Sequence, residues 1–162
     1  MSTRREGREW AVQILFQLDL NPDREKDPAE LFKEFWDGQI RLRDDKASDL
    51  QPPGPIRSFT EELVGGVMKR QEEIDKLISS NVKNWDIKRI GTVERNVLRM
   101  GIFELCFARE KAPQPVVINE AVDISKFFGT RESGRFVNGI LDKIARSYNA
   151  EKTEPQEWSP AQ

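Results

Sequence analysis

The sequence predicts an all-α protein, and two observations carry that prediction. Apolar residues recur at the 3.6-residue spacing of amphipathic helices over most of the chain, and no period-two run stands beside turn chemistry. The β-branched stretch Val116-Val117-Ile118 passes straight into Asn119-Glu120-Ala121 at helical spacing. No internal repeat of fixed period is evident, which argues against a solenoid.

Thr3-x-x-Glu6 forms a capping box ahead of Ala11, Ile14, Leu15 and Leu18, which predicts a first helix ending near Asn21-Pro22. Asp27, followed by Pro28 at the first helical position, opens a short second helix carrying Leu31, Phe32, Phe35 and Trp36 and stopping near Gly38. Charges mixed with Pro52-Pro53-Gly54-Pro55 defeat both periods over 41–55, so a mobile, solvent-exposed loop is expected there. Ser58-x-x-Glu61 reads as a second capping box, heading a stripe of Phe59, Leu63, Val67, Ile74, Leu77 and Ile78 that reaches about Ser80. Gly65-Gly66 interrupts the stripe. Because glycine costs about 1 kcal/mol against alanine in a helix interior, a close helix crossing or a kink is expected at that point.

Residues 85–90 read as a turn or short helix, and Thr92 as the cap of a helix that turns Val97, Leu98, Gly101, Ile102 and Leu105 inward. Pro113 and Pro115 separate it from a helix marked by Val117, Ala121, Ile124 and Phe128 and stopped at Gly129. Val137, Ile140, Leu141, Ile144 and Tyr148 mark the last helix. The expected organisation is one helical domain over 1–149, or two helical subdomains sharing a core, with a disordered tail over 150–162.

Composition narrows the function classes. The 162 residues are 37% hydrophobic, enough for a real core, and 33% charged, which reads as a solvated helical surface. Lys+Arg 26 against Asp+Glu 28 leaves a net charge of -2, so a nucleic-acid site must be a local patch. The absence of histidine and the single Cys106 argue against a catalytic imidazole, a transition-metal site, a thiolate zinc site and an internal disulfide. Cys106 lies between apolar residues and is expected to be a buried, inert thiol. No P-loop or G-x-G-x-x-G follows a predicted strand, no apolar run approaches the roughly 20 residues of a membrane span, and residues 1–9 lack the apolar core of a secretory signal. A cytoplasmic protein without cofactor or metal is expected.

Two clusters could carry recognition chemistry. Arg4, Arg5 and Arg8 precede the first apolar stripe and are expected to cluster on a projecting turn, where guanidinium groups match phosphate geometry and stack on bases. Glu6 and Glu9 lie in the same turn, and mixed charge there also fits a solvated helix end. Phe16 lies off the stripe, as core edge or partner anchor. The second cluster, Phe128-Gly129-Thr130-Arg131-Glu132-Ser133-Gly134-Arg135-Phe136, frames a polar turn with aromatics, a pattern suited to stacked, splayed bases. Phe128 also fits the core by period, Ser133 also fits an N-cap, and Arg131 and Arg135 also fit a solvated surface. Glu94 suits the helix dipole or accepts hydrogen bonds from a base edge or a partner. Glu120 is expected to pair internally with Arg95 or Arg99.

The run from Arg4 to Phe16, the run from Arg89 to Met100, and the pair Val117-Ile118-Asn119-Glu120-Ala121-Val122 and Phe136-Val137-Asn138-Gly139-Ile140-Leu141-Asp142-Lys143-Ile144-Ala145 resemble, in order, the signatures of the NusB transcription antitermination family. The resemblance spans residues 4 to about 148. It implies a fold of about seven helices in two packed bundles, and an adaptor rather than an enzyme. It further implies binding to the boxA element of ribosomal RNA leaders together with NusE, a small-subunit ribosomal protein, and assembly of an antitermination complex on RNA polymerase. By the same resemblance Arg4, Arg5 and Arg8 match RNA-contacting positions, Phe136 a base-contacting aromatic, and Glu132 an acidic position at the RNA face. Phe16 and Glu94 match positions near the junction with NusE and RNA.

The candidate RNA-contacting set is therefore Arg4, Arg5, Arg8, Gln13, Phe128, Glu132, Ser133, Arg135, Phe136 and Lys143, and the candidate partner-facing set is Phe16, Leu20 and Glu94. Glu6 and Gly7 interrupt an arginine run that is often denser in the family, and the 41–55 loop and the tail with Trp158 look like extensions. Other readings are a helical protein-interaction module without specific RNA binding, and the N-terminal RNA-binding domain of certain ribosomal-RNA cytosine methyltransferases. Without a Rossmann-type domain or catalytic cysteine motif the chain is not expected to be that whole enzyme. Whether it is a monomer or a homodimer is left open by the sequence.

Overall fold

The computed structural model describes residues 3–21, 27–42, 52, 54–82 and 87–153. Among these are seven α-helices and no strand. They are α1 (Thr3–Leu20), α2 (Pro28–Leu42), α3 (Gly54–Lys69), α4 (Gln71–Asn81), α5 (Thr92–Ile102), α6 (Gln114–Phe128) and α7 (Arg131–Thr153). The chain divides into two compact units, Met1–Lys69 and Arg70–Gln162.

In the first unit Ala11, Ile14 and Leu15 of the predicted α1 stripe are buried, Leu18 is half-buried, and Val12, off the stripe, is buried as well. Trp10, Phe35 and Trp36 meet edge-to-face at centroid distances of 5.9, 5.4 and 5.1 Å, joining α1 to α2. The buried Trp36 indole N–H donates to Glu61 Oε2 at 3.0 Å, which ties α2 to α3. Glu61 is thus not half of a capping box, because α3 starts a turn earlier than Ser58. Gly54 and Pro55, expected in a loop, open that helix, and burial of Ile56 anchors its added turn. Likewise α2 runs through Gly38 to Leu42, since a glycine weakens a helix without ending it. Residues 43–51 and 53 of the expected loop, residues 85–86 of the expected turn, and the side chain of Thr3 in the first capping box lie outside the described residues.

Of the pair Gly65-Gly66, where a close crossing or a kink is expected, Gly65 is not a crossing point, and a close crossing is found at Gly7. A Cβ at Gly65 would meet nothing within 4 Å, whereas a Cβ at Gly7 would stand 2.7 Å from Phe59 Cδ2. Thr60 Oγ1 donates to the Gly7 carbonyl at 2.9 Å, so α1 and α3 approach backbone to side chain at that glycine. Nor is the break in the long stripe at the glycines. It falls at Arg70 (φ −115°, ψ 20°), between α3 and α4, and the periodicity conceals it because each helix keeps its own buried face.

The second unit is built around α5, of which residues 96–102 are all buried. Arg99, buried among them, donates from Nε to Asp75 Oδ1 at 2.8 Å, from Nη2 to Asp75 Oδ2 at 3.1 Å and from Nη1 to Asn96 Oδ1 at 3.2 Å. Arg95 Nη1 donates to the carbonyls of Ile87 and Ile90, holding the 3-10 turn Ile87–Arg89 that leads into α5. Gly91 rather than Thr92 occupies the N-cap, without a side-chain capping bond, and the Glu94 carboxylate folds back against it. At Gly101 a Cβ would lie 2.9 Å from Leu141 Cδ1, so glycine there admits α7.

Past Ile102 the helix widens into a π turn, Phe103–Phe107, closed by Ala108 N–H donating to the Phe103 carbonyl at 2.9 Å. The extra residue rotates the register, and Cys106 is left half-buried instead of buried. Pro113 and Pro115 open α6, Gly129 ends it, and α7 returns alongside as far as Thr153, so residues 150–153 of the expected tail are helical. Residues 154–162 lie outside the described residues.

Asp75→Ala leaves the Arg99 guanidinium buried without its carboxylate. Chemical denaturation should show a loss of about 3 kcal/mol, and unchanged stability would show the pair to be dispensable.

Candidate functional site

The arginines of α1 do not project as a group. Arg4 is exposed and Arg5 half-exposed, but Arg8 is only 3% exposed. What organises them is Phe59 on α3. The Arg4 guanidinium carbon lies 4.2 Å from the ring centroid and that of Arg8 5.5 Å from it. Stacking on an aromatic face engages the guanidinium plane rather than its N–H edge. Gly7 makes the arrangement possible, because any side chain there would displace the ring. Further along α1, Gln13 is half-buried with Nε2 donating to the Glu9 carbonyl at 3.3 Å, Phe16 is half-buried, and Leu20 is 66% exposed.

The second cluster lies in the other unit, at the turn between α6 and α7. Thr130 caps α7: its N–H donates to Ser133 Oγ at 3.1 Å, and the Ser133 N–H donates to Thr130 Oγ1 at 3.2 Å. Ser133 is thus the third-position member of a reciprocal cap, not the cap itself, and it is buried. That geometry commits its hydroxyl to the fold. Glu132 and Arg135 are exposed in the first two turns, Phe136 is half-buried, and exposed Lys143 donates from Nζ to the Asn81 carbonyl at 3.3 Å. Glu132, Phe136 and Lys143 fall at i, i+4 and i+11, on one face of α7.

Phe128 is half-buried and meets Phe127 edge-on at 5.0 Å; Phe127 itself is 73% exposed. Glu94 lies half-buried at the first turn of α5, in the same unit.

Sequence reasoning passed over four of these positions. Phe59 reads as core because it sits on the α3 stripe, and Phe127 is hidden beside Phe128, although the 117-121-124-128 period already excludes it from the core. Thr130-x-x-Ser133 is a capping box with serine in place of the usual glutamate or glutamine. Asp75 carries no local signal, since its partner is 24 residues away.

Among the described residues no group of three or more histidine, cysteine, aspartate or glutamate side chains could hold a metal ion, and no helix is long and apolar enough to cross a membrane. The fold and these clusters define an all-helical protein with basic, acidic and aromatic side chains gathered at two places on its surface. The model of the NusB family matches residues 5–146. A transcription antitermination protein NusB of Myxococcus xanthus (strain DK1622) is 41% identical over 149 residues, covering 92% of this chain and 99% of that protein. Among solved structures, a crystal structure of the antitermination factors NusB and NusE in complex with dsRNA matches with TM-score 0.72 and 32% identity, over 91% of this chain and 99% of that one. The solution structure of NusB from Aquifex aeolicus matches with TM-score 0.70 and 33% identity, over 95% of each. The chain belongs to the NusB family.

Gly7→Val should push Phe59 from under both guanidinium groups. Denaturant unfolding should show a loss of about 1–3 kcal/mol from the overpacked crossing, and a variant as stable as wild type would remove Gly7 from that role.

Proposed function

We propose that the chain is a transcription antitermination factor that binds boxA RNA of ribosomal RNA leaders together with NusE and helps assemble an antitermination complex on RNA polymerase. The match to the NusB family across residues 5–146 carries this reading, and the likeness to NusB in a complex with NusE and RNA supports it. It acts by binding and not by catalysis, in the cytoplasm, where nascent transcripts are found.

Arg4 and Arg5 supply phosphate contacts. Arg8, being buried, acts from behind by sharing the Phe59 face with Arg4. On α7, Phe136 offers a ring to a base, Arg135 and Lys143 offer cations, and Glu132 accepts from base amino groups. Gln13 and Phe128 line the edges of their respective clusters. Ser133 contributes through the cap, by fixing where α7 begins. Phe16, Leu20 and Glu94 face the protein partner, with Leu20 the most exposed apolar group of the three. The burial of Arg8 and Ser133 favours one rival, a helical protein-interaction module without specific RNA binding, because it thins the set of direct contacts.

Titration of boxA RNA against a scrambled sequence, with and without NusE, decides between them. Sequence-independent weak binding under both conditions would favour the rival. Within the RNA-binding reading, Arg5→Ala should weaken binding similarly across sequences and reduce the salt slope by about 1. An unchanged slope removes Arg5 from the phosphate contacts. Phe136→Ala should lose about 1–3 kcal/mol of RNA affinity while circular dichroism remains helical. A protein that unfolds without a separable binding defect would make Phe136 a core residue.

A further inference from the structure

A groove of about 410 Å³ runs along the second unit between α4, the π turn and the last turns of α7. Leu77, Phe107, Ile144 and Tyr148 give it apolar walls, and the half-buried Cys106 also lines it. Its volume lies within the roughly 300–1,000 Å³ of ordinary ligand pockets. The two rings are already engaged by cations, Phe107 by Arg70 with 4.8 Å from guanidinium carbon to centroid and Tyr148 by the Lys111 ammonium at 5.7 Å. They therefore serve as fixed walls, with positive charge held beside the groove.

The chain beyond α7 supplies an occupant. The helix ends at Thr153, nine residues after Ile144 and five after Tyr148, which is about 14 and 8 Å along its axis. Residues 154–162, outside the described residues, carry one large apolar side chain, Trp158. It stands five residues past Thr153, a reach of about 17 Å in an extended chain, so the indole can return as far as Ile144. Pro155 disfavours helix at the preceding Glu154, which stops α7 from carrying Trp158 onward along its own axis. Pro155 and Pro160 also leave this segment less backbone freedom to lose on docking. Charge fits as well. The only charged side chains over 154–162 are Glu154 and Glu157, and the groove meets them with Lys76 on its wall and Arg70 and Lys111 beside it, against one lining carboxylate, Glu73, which Arg70 already pairs at 3.4 Å.

We infer that the segment after α7 folds back along the helix and seats the Trp158 indole in this groove, against Leu77, Phe107 and Ile144 and covering the Cys106 thiol. Docking removes from water both the indole and the apolar walls, which is what drives it. The inference stands apart from the RNA-binding reading, since no residue of the groove belongs to the candidate RNA-contacting or partner-facing sets.

Two measurements on the full chain test it. In nuclear Overhauser spectra of the wild-type chain, the Trp158 indole protons should show contacts to the methyl groups of Leu77 and Ile144. Their absence overturns the docking, and this experiment stands whether or not any variant folds. Cys106 is the sole thiol, so its labelling by an aromatic disulfide reagent reads the cover over the groove. Trp158→Ala should label at least about threefold faster than wild type, and Trp158→Phe should fall closer to wild type than to Trp158→Ala. Equal rates in wild type and Trp158→Ala overturn the docking. Contacts or protection that vanish on dilution overturn it in favour of a second copy of the chain in the groove.

Discussion

The enclosure of α5 is the constraint on which the second unit depends. With residues 96–102 all buried, the helix has no face to spare, and it carries a guanidinium into that interior. A buried cation is tolerable only where a carboxylate and further acceptors meet it, so Asp75 on α4 and Asn96 on α5 itself are placed by Arg99 as much as they place it. The same helix needs Gly101 where Leu141 presses in from α7. Over residues 96–102 the helix has no face left for a ligand, and only its first turn, which carries Glu94, is part-exposed. The exposed polar and aromatic side chains of this unit lie mostly on the elements packed around α5, among them the α6–α7 turn and the outer face of α7.

Periodicity read the cores well, because burial of one face is what a 3.6-residue repeat encodes. The stripes of α1, α6 and α7 became buried rows up to their last members, Leu18, Phe128 and Tyr148, which are half-buried, and Pro113, Pro115 and Gly129 stand at helix ends as chain stereochemistry requires. Boundaries set by tertiary contact were less legible. Ser58-x-x-Glu61 has the letters of a capping box, yet burial of Ile56 and the bond from Trp36 outweigh a local cap worth about 1 kcal/mol. The bend at Arg70 and the π turn before Ala108 leave the apolar spacing almost intact. That is why Cys106 read as buried when a single inserted residue turns it half outward.

The arginine cluster shows how a sequence feature can be seen and still misassigned. In the linear sequence Gly7 dilutes a basic run. In the fold it is the gap that lets Phe59 lie beneath two guanidinium groups. Such a stack contributes about 0.5–1 kcal/mol at exposed sites, and in the proposed function it would also order Arg4 ahead of a phosphate, lowering the entropy lost on binding.

Within the proposed RNA-binding function, Glu132 would bear on selectivity for a different reason. Ionised, a carboxylate only accepts hydrogen bonds, so it repels a phosphate and rewards an amino group on a base edge. Its place in the first turn of α7 suits it, because the helix dipole favours a negative charge there and the Thr130–Ser133 cap fixes the turn without using it. With cations at Arg135 and Lys143 on the same helix, a strand bound along α7 would take its affinity from the cations and its preference from the acid and the ring. A purely basic helix would bind every strand equally. In the proposed function, one acid among the cations would make the choice of base matter.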